Sequence, residues 1–286
     1  MLDLVRLRVL AAVAAHGSVT AAAEALHYTQ PTVSHHLARL EAATGAKLLQ
    51  KVGRGIRLTP EGEVLARRAA EIIGRVDAAD AELAALVGLR SGRVRVGAFS
   101  SALSVLVPPA AAELRRAHPG IELELTDVHP RVAAQQLRGG EIDLAIVFRY
   151  DDEQPDDGLR YSHLRDDPIH LLSRRTGETL TDHQDSAWIA GCVNCRRELL
   201  QHCADAGFTP RIAYTSDDII VKQAFVAAGL GVTTMPGLAL RSHLADGVRT
   251  TELPIVRRIH LACYGEPPDP PATTAFITAL KRVTLQ

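Results

Sequence analysis

Five short polar side chains, Thr29, Gln30, Thr32, Ser34 and His35, crowd around Pro31. Hydroxyls, an amide and an imidazole at this density make a surface able to hydrogen-bond base edges or phosphates. Arg39 lies one helical turn further on, within reach of a phosphate. Arg54, bracketed by Gly53 and Gly55, suits a hairpin tip entering a minor groove, and taken by itself also reads as a solvated loop arginine. Further along, Ser100 and Ser101 could present hydroxyls and free N–H groups to a carboxylate or phosphate, or one of them could simply cap the helix that follows. Cys192-Val193-Asn194-Cys195, with His202 and Cys203 one helix away, admits three readings: a redox pair, half a metal site, or small buried thiols, the default for cysteine.

Catalysis is not indicated. The sequence has no metal motif, nucleophile elbow, phosphate loop or dinucleotide fingerprint, so no enzyme activity, cofactor or metal is expected. With 286 residues, 47% hydrophobic and 23% charged, the chain has room for about two folded domains. Four cysteines exclude a disulfide-built scaffold. No apolar run approaches the ~20 residues that span a bilayer. Asp3 and Arg6 stand where a signal peptide would have its apolar core, so no membrane contact or export is expected, and the expected location is a reducing cytoplasm. The net charge of −1 conceals an asymmetry. Residues 1–58 carry seven Lys and Arg against three Asp and Glu, a net +4 that leaves −5 on the remainder. A small basic head on an acidic body is the pattern of a chain with one end facing nucleic acid.

The polar cluster needs a scaffold, and residues 1–59 can supply one. Leu4, Leu7, Leu10, Ala11 and Ala14 recur at helical spacing over 3–15, and Gly17 ends that helix. Ser18 is placed to cap a short alanine-rich helix, Thr20 to Leu26, whose small side chains permit close packing. A turn at 27–30 leads to Pro31, suited to a first helical turn, and to a helix that Gly45 stops. Ala22, Leu26, Val33, Leu37 and Leu40 would face inward, leaving the polar cluster outside. Two helices, a tight turn and a third helix opening on polar residues are helix-turn-helix geometry. Two short strands flanking Arg54 add a wing.

Across this head, Gly17-Ser18-Val19-Thr20-Ala21-Ala22-Ala23, Thr29-Gln30-Pro31-Thr32-Val33-Ser34, Leu40-Glu41, Gly45 and Leu58-Thr59-Pro60-Glu61-Gly62 closely resemble the LysR-type transcriptional regulators. Leu49 and Lys51 replace the family's usual Phe and Arg, mild changes in the wing. The resemblance implies an α+β multi-domain protein: an N-terminal winged helix-turn-helix, a long linker helix, and a C-terminal α/β effector domain of two lobes like type 2 periplasmic binding proteins. It implies contact with double-stranded DNA through Ser18, Thr29, Gln30, Pro31, Thr32, Ser34, His35, Arg39 and Arg54. It further implies a small-molecule effector, self-association as homodimer or homotetramer, and RNA polymerase as an additional partner.

Residues 60–89 fit the linker. Leu65, Ala69, Ile72, Val76, Ala79, Leu83 and Leu86 alternate at spacings of four and three, a heptad seam for a second helix. The alternative is one helix packing on its own domain. Residues 89–92 would form a hinge. From 93 onward strands and helices alternate, which means a parallel or mixed α/β sheet. Lobe one is expected over 93–165 plus 268–286 and lobe two over 166–267, within a body of 90–286. A single helix is expected from Leu103 to His118, and short strands at 169–172 and 259–264. Ala227-Ala228-Gly229-Leu230-Gly231-Val232 also resembles the family.

Ligands of such sheets sit at strand C-terminal ends, facing helix N-termini. That selects Ser100, Ser101, His129, Phe148 and Arg149 from lobe one, facing Cys192, Asn194 and Thr234 across a cleft. Asp217 and Asp218 read as a helix cap, and Cys263 as core. Two other functions share such a body: a solute-binding protein, which the basic head argues against, and an enzyme, which would leave that head unexplained.

Overall fold

In the computed structural model, residues 2–52, 55–86, 92–150, 158–265 and 267–284 are described. Arg54 and most of the expected hinge at 89–92 lie outside them.

Three helices, α1 (Leu4–His16), α2 (Val19–Ala25) and α3 (Gln30–Thr44), form the head with a hairpin of β1 (Leu49–Val52) and β2 (Gly55–Leu58). Local chemistry sets each helix start. Asp3 accepts from the N–H of Val5, Ser18 from that of Ala21 at 3.0 Å, and Thr29 from that of Thr32. Pro31 falls in the first turn of α3, where its missing N–H costs nothing. Leu7, Leu10, Val13, Ala22, Val33, Leu37 and Leu40 make the head core, and Leu26 packs against it half-buried. The strands pair antiparallel from Leu49 opposite Leu58 to Val52 opposite Gly55.

Glu41 anchors the wing to α3. Its carboxylate accepts from the N–H groups of Leu48 and Leu49 and from the Lys47 ammonium. Burial pushes its pKa up, but these bonds outweigh burial and hold it below the ordinary value. Thr59 accepts from the N–H of Gly62 and donates to the Lys47 carbonyl, joining the wing to the next helix. A Cβ on Gly62 would sit 2.1 Å from the Leu48 carbonyl oxygen, so only glycine permits this approach.

The linker α4 (Pro60–Leu86) divides its seam. Ala69 is buried and Leu65 partly buried in the head core, with Ala66 beside them, and Arg8 reaches Asp77 at 2.8 Å. The single-domain alternative thus accounts for the start of the seam. Ile72 and Leu83 are 39% and 62% exposed. Among the described residues no single helix is long and apolar enough to cross a membrane.

The body opens with β3 (Gly92–Ala98), α5 (Ser100–Val105), α6 (Val107–Ala117), β4 (Ile121–Asp127), α7 (Pro130–Arg138) and β5 (Leu144–Arg149). The helix expected over 103–118 is two helices. Pro108 and Pro109 cannot donate back into the preceding turn, so α6 restarts with its prolines in its first turn. Next come β6 (Leu159–Ser173), β7 (Ala187–Ala190), α8 (Val193–Asp205), β8 (Arg211–Thr215), α9 (Ile219–Ala227), β9 (Thr233–Pro236), α10 (Gly237–Ser242), β10 (Arg249–Tyr264) and α11 (Pro271–Thr284).

The main sheet has the order β4-β3-β5-β10-β6-β9. β3 runs parallel to β4 and β5, whereas β10 is antiparallel to β5 and β6. The strands expected at 169–172 and 259–264 are ends of two long strands that pair with each other and pass through both lobes. Ile259 to Ala262 pair with β5, so they belong to the sheet of lobe one and not, as the 166–267 boundary has it, to lobe two. Helix α11 returns to pack on α6 and β3. Lobe two carries the β7–β8 pair and its own core around the fully buried Trp188.

Candidate functional site

The head exposes the surface its sequence promises. Thr29, Gln30, Pro31, Ser34, His35 and Arg39 are exposed, while Ser18 and Thr32 are half-buried. Ser18 and Thr29 each cap a helix, and the Thr29 and Thr32 hydroxyls meet at 2.8 Å. Their hydroxyls therefore orient N–H-rich helix starts, and Gln30, Ser34 and His35 are exposed to solvent beside them. His35 and His36 meet edge to face, with Tyr28 stacked on His36.

In the body a cavity of about 410 Å³ opens between the lobes. Ser100, Ser101, His129, Phe148 and Cys192 line it, as their strand-end positions predict. Arg149, Asn194 and Thr234 are not among its lining residues. Arg149 turns to the Tyr161 ring, 5.7 Å from its centroid. Asn194 is in the first turn of α8, on the stretch between the two lining cysteines. Thr234 takes part only through its carbonyl, which accepts from Lys222 at 3.0 Å. Neither serine caps α5: Phe99 stands at the cap position with no side-chain bond. Asp218 caps α9, accepting from Ile220 and Val221, as expected.

The centre of the cavity wall is a residue that sequence reasoning missed. Arg257, 3% exposed, donates through Nε to Asp167 Oδ2 at 2.8 Å and through Nη2 to Ser101 Oγ at 3.0 Å. Its guanidinium lies 4.8 Å from the Phe99 ring centroid and 4.7 Å from that of Phe148, which are themselves packed edge to face. Asp167 uses its other oxygen to accept from the Leu238 N–H at 2.8 Å. One buried ion pair thus joins strands β6 and β10, where they cross between lobes, to α5 and α10. The available signal was register. Arg257, Ile259, Leu261 and Cys263 alternate along β10 and all are buried, so an arginine occupies an inward-facing position.

Lys222 is the second buried cation, on the inward face of α9. Burial pushes its pKa down, while the thiols of Cys195 and Cys192 push it back up. Cys192 caps α8, and its Sγ lies 2.8 Å from that of Cys195. Cys195 is held down at about 6, first by the Cys192 hydrogen bond and then by Lys222, Arg257 and the Tyr150 hydroxyl, against its own burial. Cys192, carrying the shared proton, is pushed up. Asp127, Asp217 and Asp218 line the cavity as well, so its wall sets two cations, aromatic faces and hydroxyls beside three carboxylates, a lining that suits a small polar molecule. Among the described residues no group of three His, Cys, Asp or Glu could hold a metal ion.

Comparison with known proteins accounts for both halves. Residues 4–63 match the family model "Bacterial regulatory helix-turn-helix protein, lysR family", and residues 88–284 match "LysR substrate binding domain". The probable HTH-type transcriptional regulator LrrA of Synechococcus elongatus is 28% identical, over 98% of this chain and 97% of its own. ArgP from Mycobacterium tuberculosis has the same fold with a TM-score of 0.73 at 22% identity, covering 99% of this chain and 98% of its own. Full-length CbnR complexed with its target DNA aligns with a TM-score of 0.65 at 20% identity, over 99% and 100% of the two chains. The chain belongs to the LysR family of transcriptional regulators, joining that family's helix-turn-helix head to its substrate-binding domain.

Proposed function

We propose that this regulator reads double-stranded DNA through the start of α3 and the wing, and that a small polar effector seated between the lobes governs how it does so. The observation that carries the DNA reading is the set of exposed polar residues at α3: Gln30, Ser34, His35 and Arg39 point outward from a helix whose start is fixed by Thr29 and Pro31. In this reading Gln30 takes a base edge, Arg39 and the wing cations take phosphates, and Arg54 enters the minor groove. Two copies, paired along the exposed part of the α4 seam, would present two such helices to a dyad in DNA. The cleft supports the effector reading because its cations lie at the crossing of the lobes. A ligand that favours one lobe arrangement shifts the population of states available to the heads.

An electrophoretic titration on the DNA upstream of the protein's own gene, at two salt concentrations, tests this. Wild type should bind with an affinity that falls steeply with salt. A Gln30→Ala plus Arg54→Ala variant should lose about 1–3 kcal/mol per base contact, roughly a tenfold weakening or more. Equal affinity of variant and wild type on a specific site would refute the assignment.

A further inference from the structure

The two cleft cysteines have a chemistry that the binding of an effector does not use. Cys192 and Cys195 both line the cavity, so a small molecule reaches them from solvent. Cys192 accepts from the N–H of Cys195 while the two sulfurs lie 2.8 Å apart. Three residues of separation at a helix start bring Cα atoms within the roughly 4.4–6.8 Å that a disulfide spans. Around Cys195 stand the Tyr150 hydroxyl, the buried Lys222 ammonium and Arg257. A Cβ on Gly191 would lie 3.5 Å from Lys222 Nζ and 3.9 Å from Cys195 Sγ, so this backbone position abuts both groups. The other two cysteines differ. Burial pushes Cys203 up to about 11 and Cys263 up to about 12, which leaves them as unreactive thiols.

We propose that Cys192 and Cys195 form a reversible dithiol–disulfide couple, oxidised from within the cleft by a small hydroperoxide. The Cys195 thiolate attacks the terminal peroxide oxygen. A sulfur–oxygen bond forms, the O–O bond breaks, and the leaving alkoxide takes a proton from water to become an alcohol. Cys192 Sγ then attacks Cys195 Sγ. The S–S bond forms, the S–O bond breaks, and hydroxide departs with the Cys192 proton as water. Two thiols have given two electrons to one peroxide. A low-molecular-weight thiol reverses the reaction by exchange. Oxidation deletes the one thiolate facing Lys222 and Arg257, so the couple changes the charge of the cleft. This chemistry goes beyond the effector reading and can be tested without DNA.

Reduced full-length protein, desalted under argon, is treated with one equivalent of cumene hydroperoxide. Free thiols are then counted by maleimide labelling, and tryptic peptides are weighed. Two of the four thiols should disappear, the peptide holding Cys192 and Cys195 should be two hydrogens lighter, and dithiothreitol should restore both. Cys192→Ser should stop at a sulfenic acid on Cys195 that dimedone traps, while Cys203→Ser and Cys263→Ser should behave as wild type. In untreated protein, alkylation of Cys195 by iodoacetamide should rise with a midpoint near pH 6. Thiol loss spread over all four cysteines, no loss at stoichiometric peroxide, or an alkylation midpoint above about pH 8, the range of an ordinary thiol, would overturn the proposal.

Discussion

Replacing Arg257 by methionine isolates the interaction on which the cleft wall depends. Both Arg257 and Asp167 are 3% exposed at the side chain. Removing the guanidinium leaves a buried carboxylate whose remaining partner is the Leu238 N–H. Breaking one side of such a pair costs about 3–5 kcal/mol, because the surviving charge stays desolvated. For a domain of this size that corresponds to a fall of roughly 6–20 °C in the unfolding midpoint of the body. Adding Asp167→Asn removes the stranded charge yet keeps an acceptor for Leu238, so the double variant should regain about 2 kcal/mol or more of the loss. Urea unfolding followed by fluorescence is a direct readout, since Trp188 is the only tryptophan and is fully buried in lobe two. The midpoint should move at constant slope. A single variant within about 1 kcal/mol of wild type, or a double variant no more stable than the single, would refute the reasoning.

Gly62→Ala should destabilise the head by about 1–3 kcal/mol or more, because the new methyl meets a backbone carbonyl oxygen at 2.1 Å. Alanine is otherwise the better helix former, so a rise in the head's melting temperature by circular dichroism would show that the contact relaxes freely. Glu41 has a folded pKa below its ordinary 4.5, so its contribution is present above that value and is lost as pH falls through the folded pKa. Acid titration of the helical signal should therefore show the head of Glu41→Gln less stable at neutral pH and less sensitive to acid than wild type, and parallel curves would count against the wing anchor.

What was legible in the sequence was local. Ser18 and Asp218 cap helices because a hydroxyl or carboxylate one position before a helix has N–H groups within reach whatever the rest of the chain does. The polar cluster at Gln30–His35 was equally visible, since the apolar positions of α3 fix which face turns inward. Arg257 escaped notice because its partner Asp167 is 90 residues earlier in the chain, and its alternation with Ile259, Leu261 and Cys263 becomes a signal only once β10 is known to extend back to it. Lys222 escaped because a lysine in a helix normally faces water. Arg149 lies at the end of β5. That position does not fix which way a side chain turns, and Arg149 turns to Tyr161 instead. The long strands β6 and β10 read as short ones because half of each carries polar residues, and only their mutual pairing keeps the polar halves extended.

Those two strands also dictate an order of assembly on the ribosome. The head core closes once α4 has supplied Ala66 and Ala69. Lobe one begins to emerge next, at β3, yet its sheet lacks β10, and its helical layer lacks α11, until lobe two has been made. Most of the lobe-two core around Trp188 is made before its neighbour is finished, with Leu253 of β10 still to come. The first lobe to appear is therefore the last to be sealed, and the open edge of β5 must wait for a partner more than 100 residues later. A ribosome that stops short of β10 leaves a finished DNA-reading head attached to a body with an unpaired strand edge, the kind of surface on which chains aggregate and which chaperones cover.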